Sequence, residues 1–162
     1  MTAILKEGRL IKDLWVPIED EAIVPAEGSI IVTLAQWQRA RATLAGHSLG
    51  IRLRSDEPPA LIAADLDNFS LIALEFPRFG DGRAYSHARI LREQLGYRGE
   101  LRAVGNVLRD QYLFMLRCGF DTVDIGDPRQ APGFLAAAEE FSVFYQPAAD
   151  GRKPAWALRH QR

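Results

Sequence analysis

The chain has 162 residues, 48% hydrophobic and 25% charged, the balance of one ordinary globular domain with a single core. A formal net charge of −1 speaks against a general nucleic-acid or membrane-surface binder. No apolar run approaches the ~20 residues that span a bilayer, and the opening Met1-Thr2-Ala3-Ile4-Leu5-Lys6 lacks a signal-peptide core, so a cytoplasmic location is expected.

The first predicted element is a hairpin over Ala3 to Pro17, with Ala3 to Lys6 and Arg9 to Trp15 flanking a Glu7-Gly8 turn. Ile18 to Gly28 reads as an acidic, irregular surface connection. Ile30 to Thr33 is a short β-branched strand. Thr33 and Gln36 form a capping box for a helix carrying Trp37, Ala40 and Leu44, which Gly46 ends. In Ile51 to Arg54 the alternation of Ile51 and Leu53 with Arg52 and Arg54 predicts a strand with one wet face, near the sheet edge. Pro58-Pro59 stops it, and Pro59 opens a short helix over Ala60 to Leu66.

Leu71 to Phe76 is the most continuously apolar run and predicts a central parallel strand. A helix follows from near Arg83, with Ala84, Ala88, Leu91 and Leu95 on one stripe, broken by Gly96 and Gly99. Leu101 to Val104 is the next strand. Asn106 is a predicted cap for a helix burying Leu108, Tyr112, Met115 and Leu116 and closed by Gly119. Thr122 to Ile125 is a strand, and Asp127-Pro128 opens a helix with Phe134, Leu135 and Ala138 inside. Phe141 to Tyr145 reads as a last strand. One domain over 1–147 is thus followed by a polar tail, 148–162, made locally basic by Arg152, Lys153, Arg159 and Arg162.

This rhythm predicts an α/β fold: repeated βα units forming a mostly parallel open sheet with an N-terminal β-hairpin. Helices could cover both faces of an open sheet, or one face of a partial β/α barrel. The first arrangement is preferred, because five βα units cannot close a regular eight-stranded barrel.

The chemistry concentrates where apolar strands end. Gly80-Asp81-Gly82-Arg83-Ala84-Tyr85-Ser86 follows a strand and opens a helix, but Ser86 stands where a dinucleotide loop needs its third glycine. Backbone N–H groups at that helix start, with Arg78 and Arg83 beside them, suit a small oxyanion. Glu75 sits near the carboxyl end of the most apolar strand, and Arg102 holds the corresponding half of the next. If those strands are neighbours, the two could pair across the sheet top and fix its register. Arg109, against the preference of a helix start for negative charge, adds a further guanidinium.

His87 borders the apolar stripe and belongs to no acid–histidine–nucleophile order. Cys118 reads as a small buried hydrophobe, with Arg117 pointing away to solvent. A single cysteine excludes an internal disulfide and all-cysteine metal sites in one chain, and His47, His87 and His160 show no ligand spacing. No metal and no cofactor is predicted.

The residues from Phe76-Pro77-Arg78-Phe79-Gly80-Asp81-Gly82-Arg83 through Ser86, Ala88-Arg89, Leu91-Arg92-Glu93, Leu95-Gly96-Tyr97, Gly99 to Gly105, Val107 to Gln111 and Arg117 to Asp121 resemble a bacterial family of unknown function. The resemblance covers residues 10 to 147. Genes of that family commonly lie beside those for the sulfite reductase haemoprotein and the adenylyl-sulfate reductase, and its members are often labelled probable oxidoreductases of sulfite reduction. It brings no established catalytic residues, and Asn106 stands where the family usually has Asp.

Sulfite reduction is a multi-electron step that side chains alone cannot carry. The resemblance therefore implies an accessory protein of assimilatory sulfate and sulfite reduction, binding a small oxyanion or a sulfite reductase subunit and lacking its own redox centre. Arg78, Gly80, Asp81, Gly82, Arg83, Ser86, Arg102, Asn106 and Arg109 would form the anion site. The rival is an oxidoreductase with a bound cofactor, or a transferase acting on an anionic substrate, with Glu75 or Asp81 as acid/base. Neither nucleic acid nor membrane is an expected partner, and a homo-oligomer is left open.

Overall fold

Eight strands make one sheet in the computed structural model, which describes residues 3–18, 22, 24, 25, 27–44 and 46–159. They are β1 (Ile4–Lys6), β2 (Arg9–Ile11), β3 (Trp15–Pro17), β4 (Ser29–Thr33), β5 (Ser48–Leu53), β6 (Leu71–Phe76), β7 (Glu100–Gly105) and β8 (Thr122–Asp124). Their order is β2-β1-β8-β7-β6-β5-β4-β3. From β3 to β8 every neighbour is parallel and next in sequence, while β1 runs antiparallel to both β8 and β2. The helices are α1 (Leu34–Ala40), α2 (Arg83–Arg89), α3 (Tyr112–Cys118), α4 (Ala131–Glu139) and α5 (Ala155–Leu158), and a 3-10 segment covers Pro59–Asn68.

Strands laid down in sequence order, each reached by a right-handed crossover, return their helices to the same face. The open sheet accordingly curls as a half-barrel with helices outside, and among the described residues helices on both faces, the preferred arrangement in the sequence reading, are not found. The two edge strands, β2 and β3, are joined by only Lys12, Asp13 and Leu14. Four residue steps reach at most about 14 Å, whereas seven strand spacings of a flat sheet would separate the edges by about 34 Å. The curl brings the edges together, and this three-residue strap crosses the seam.

Alternation along each strand divides the side chains. Ile51, Leu53, Ile72, Leu74, Leu101, Ala103 and Val123 are buried beneath the helices, against Trp37, Ala88, Met115 and Phe134. Each large side chain there contributes about 2 kcal/mol by burial, so this outer layer is what holds the sheet. The concave face has a smaller apolar patch of Ile31, Leu71 and Ala73, with Trp15 packed on it. Gly50 makes room for that patch: a Cβ there would lie 3.1 to 3.3 Å from Ile31, Leu71 and the Trp15 ring.

Local signals explain most element ends. Glu7 and Gly8 have φ of 46° and 75°, which suits a tight hairpin turn. Thr33 and Gln36 make the capping box, α2 starts at Arg83, and Gly119 closes α3 at φ 98°. The Asp127 side chain accepts from Arg129 N–H ahead of α4.

Five expectations are corrected. The second hairpin strand ends at Ile11, and Trp15 begins a separate strand on the far edge, because the chain crosses the seam between them. β5 lies between β4 and β6, not near an edge, and its wet face is the concave one. Asn106 does not cap α3, which is preceded by a 3-10 turn over Arg109–Gln111. Phe141 to Tyr145 forms no strand. There the Arg117 guanidinium lies 3.8 Å over the Phe144 ring and donates to Gln146 O at 2.6 Å, while the Arg117 carbonyl accepts from Ala149 N–H, so Arg117 holds the tail instead of facing solvent. The acidic connection from Ile18 to Gly28 lies partly outside the described residues, and His160 and Arg162 lie wholly outside them.

Candidate functional site

Parallel register sets the concave face out in rows. Ile31, Gly50, Leu71 and Glu100 align in one row, two residues above the Trp15, Ser29 and Ser48 row. Arg52, Ala73, Arg102 and Thr122 align in the next. Glu75 and Val104 align above them, with Asp124 two residues beyond Thr122 on β8. Trp15 closes the lower end against Ile31, Leu71 and Ala73. What remains above is a cleft of about 240 Å3 toward the C-terminal ends of the strands, lined by Asp13, Arg52, Ala73, Glu75, Arg102, Val104 and Asp124 among others.

Arg102 forms the cleft's floor and is only 3% exposed. Its Nη1 donates to both oxygens of Asp13, at 3.0 and 2.9 Å, and its Nη2 and Nε donate to Glu100 Oε1 at 2.9 and 3.1 Å. Thr122 Oγ1 donates to that same Glu100 oxygen at 2.7 Å. A guanidinium this buried requires such pairing, and each of the three Arg102 nitrogens already donates to a carboxylate.

Arg52 differs. Its Nε lies 3.9 Å from Glu75 Oε2, beyond hydrogen-bond reach, and its side chain is 34% exposed. Asp124 accepts from Gly126 N–H at 2.9 Å. Burial raises the Asp124 carboxyl above its usual range, while that N–H and the Arg102 charge oppose the shift.

The predicted anion-site residues are distributed over four places. Asp81 and Arg83 meet on the turn before α2: Arg83 Nη2 donates to Asp81 Oδ2 at 2.7 Å and to Ser55 Oγ at 2.9 Å, and Ser55 donates to Asp81 at 2.9 Å. Arg83 and Ser55 hold the Asp81 carboxyl well below the usual carboxylate range. Arg78, Gly80, Gly82 and Ser86 are exposed on the same turn and helix start. Arg102 lies on the concave face, and Arg109 lies beside Gly133 of α4. Asn106 is exposed just past β7, where its N–H donates to Phe76 O at 2.7 Å.

Glu75 and Arg102 do stand on neighbouring strands and line one cleft, but Glu75 is opposite Val104, two residues above Arg102. Glu75 is therefore drawn to Arg52 and Arg102 to Asp13. Sequence reasoning passed over Arg52, Asp124 and Asp13. A charged residue alternating with apolar ones was a signal for Arg52, and a carboxylate at a strand's C-terminal end was one for Asp124. Asp13 gave none.

Among the described residues no three acidic, cysteine or histidine side chains are grouped to hold a metal ion, and no helix is long and apolar enough to cross a membrane. No curated protein matches the sequence. A family model described as a bacterial protein of unknown function (DUF934) matches residues 50–156, well over half of the chain, from β5 into α5. That segment carries Arg52, Glu75, Arg102 and Asp124, and the chain belongs to this bacterial family of unknown function, DUF934.

Proposed function

We propose that the protein is an accessory, ligand-binding component of sulfite reduction, and that it receives a small oxyanion on Arg52 in the concave cleft. One observation carries this reading. Of the two guanidiniums in the cleft, Arg102 is buried and paired with two carboxylates, Asp13 and Glu100, whereas Arg52 is a third exposed, meets its carboxylate only at 3.9 Å and keeps its N–H fork for a guest. The cleft opens at the strand C-termini, where β/α sheets place their ligands. Its volume, about 240 Å3, is below the ~300–1,000 Å3 of pockets for larger ligands. It suits a tetrahedral anion better than a cofactor together with its substrate. The link to sulfite reduction rests on the sequence resemblance described above.

Calorimetric titration with sulfite and with sulfate tests the binding. Binding that is lost in Arg52→Ala and kept in Arg83→Ala is expected. Loss in Arg83→Ala alone would return the site to the turn before α2. A deletion strain tests the role: growth on sulfide but not on sulfate is expected, and normal growth on sulfate contradicts it.

Glu75 supports a second reading, a transferase acting on an anionic substrate. Its carboxylate faces the same cleft beside Arg52, within reach of a proton on a bound guest.

A further inference from the structure

The cleft holds more negative charge than an oxyanion site calls for. Arg52 and Arg102 supply two positive charges, against three negative ones from Asp13, Glu75 and Asp124. Asp13 is taken by Arg102, and Glu75 leans on Arg52. Asp124 forms no ion pair among the described residues, and its hydrogen bond comes from the Gly126 backbone. A half-buried carboxylate without a counter-ion is costly, and its burial already shows in the raised proton affinity of that group.

A lone dianion would add to this excess, whereas a guest bearing both signs would leave the net charge unchanged and pair both loose ends. We propose that the cleft takes a small zwitterion, with an anionic group on the Arg52 guanidinium and an ammonium group on Asp124. The proposal rests on the reading that Arg52 receives the anion, and it adds the chemistry of the other end.

The geometry fits. Arg52 and Asp124 stand on β5 and β8, three strand spacings of about 4.8 Å apart along a curled sheet. The long Arg52 side chain covers part of that span, leaving room for a guest whose charged groups are a few bonds apart. Between them β6 and β7 present Ala73 and Val104, which suit a short methylene link, together with Glu75 and Arg102, whose charges already face Arg52 and Asp13. A metal ion is a poorer occupant, because no three suitable ligands are grouped there among the described residues.

Matched pairs of probes test this by calorimetry on the unaltered protein: taurine against ethanesulfonate, and β-alanine against propionate. In at least one pair the zwitterion is expected to bind about tenfold tighter, the value of one charge-assisted contact. Asp124→Asn, checked for folding by its melting curve, should erase that preference by weakening the zwitterion, while the plain anion, relieved of one repelling carboxylate, binds at least as tightly as before. Equal affinities in both pairs, or a preference that survives Asp124→Asn, would overturn the proposal. If the plain anions still bind and Arg52→Ala abolishes this, the oxyanion reading stands and only the zwitterion falls. If no probe binds, the zwitterion falls, and the sulfite and sulfate titrations decide the oxyanion reading.

Discussion

Arg102, in the middle of the sheet, donates from Nη1 to both carboxylate oxygens of Asp13, 89 positions earlier, at 3.0 and 2.9 Å. The pair ties the strap across the seam to the strand it faces, so it sets how far the half-barrel curls. Asp13 also accepts from Trp15 N–H at 3.1 Å, which fixes the start of β3 and the ring that closes the cleft's lower end.

Removing Arg102 leaves Asp13, largely buried, without its ion pair, and leaves Glu100 only the Thr122 hydroxyl and a 3.9 Å contact with Lys6. Arg102→Met is therefore expected to cost about 3–5 kcal/mol, the penalty for breaking one side of a buried ion pair. Asp13→Asn keeps a hydrogen-bond acceptor and should cost about 1–2 kcal/mol. Urea denaturation measures both, and a loss under about 0.5 kcal/mol for Arg102→Met would show that the network does not hold the curl.

The Arg52–Glu75 contact is open to solvent and long. Arg52→Ala should change stability by less than about 1 kcal/mol. A folded variant with unchanged melting is thus the expected background for its binding defect. A large destabilisation would mean that Arg52 is structural.

Gly105 ends β7 at φ +92°, and a Cβ there would lie 2.5 Å from Phe76 O, the atom that accepts from Asn106 N–H. Gly105→Ala is expected to lose at least about 1–3 kcal/mol, from left-handed strain and the displaced neighbour together. Wild-type stability in chemical denaturation would refute the close approach.

His87 is buried on α2, and its Nδ1 has no hydrogen-bond partner among the described residues. Burial first, and the Arg83 charge second, lower its pKa from 6.5, with Asp81 opposing. The unfolded imidazole takes up its proton near pH ~6.5, and the folded one only at lower pH. The unfolded state then binds more protons in that window, so stability falls as pH drops through it. Melting temperature should decline from pH 7 to pH 5, and His87→Leu should reduce that slope. An identical slope in the variant would remove His87 as its source.

Cys118 is buried, and burial pushes its thiol up to about 11, although Arg89 and Arg117 act to lower it. A thiol reagent at pH 8 should not label the native protein and should label it fully in denaturant. Rapid native labelling would contradict that burial.

Element by element, the chain was legible because its signals are local. Leu71 to Phe76 is a continuous apolar run with a matching strand, and Thr33, Gln36, Gly119 and Asp127 mark element ends by their own side chains or backbone. The closure was not legible. A single apolar stripe on each helix serves one-sided and two-sided sheets equally, and nothing near Trp15 says that it joins the edge opposite β2. The candidate site suffered for the same reason. Arg83 and Arg102 both belong near strand ends, yet one turns back to Asp81 and the other reaches down to Asp13, a direction that register decides and spacing does not. Glu75 was recognised as facing its neighbour's charge, but the register gave it Arg52.

The account's central claim is that Arg52 is the guanidinium that meets the ligand. Arginine Nε–Hε NMR resonances recorded during a sulfite titration test it most directly. The account predicts that the Arg52 signal shifts in a saturable manner while those of Arg78, Arg83 and Arg109 stay in place. A silent Arg52 with saturable shifts at Arg78 or Arg83 would contradict it.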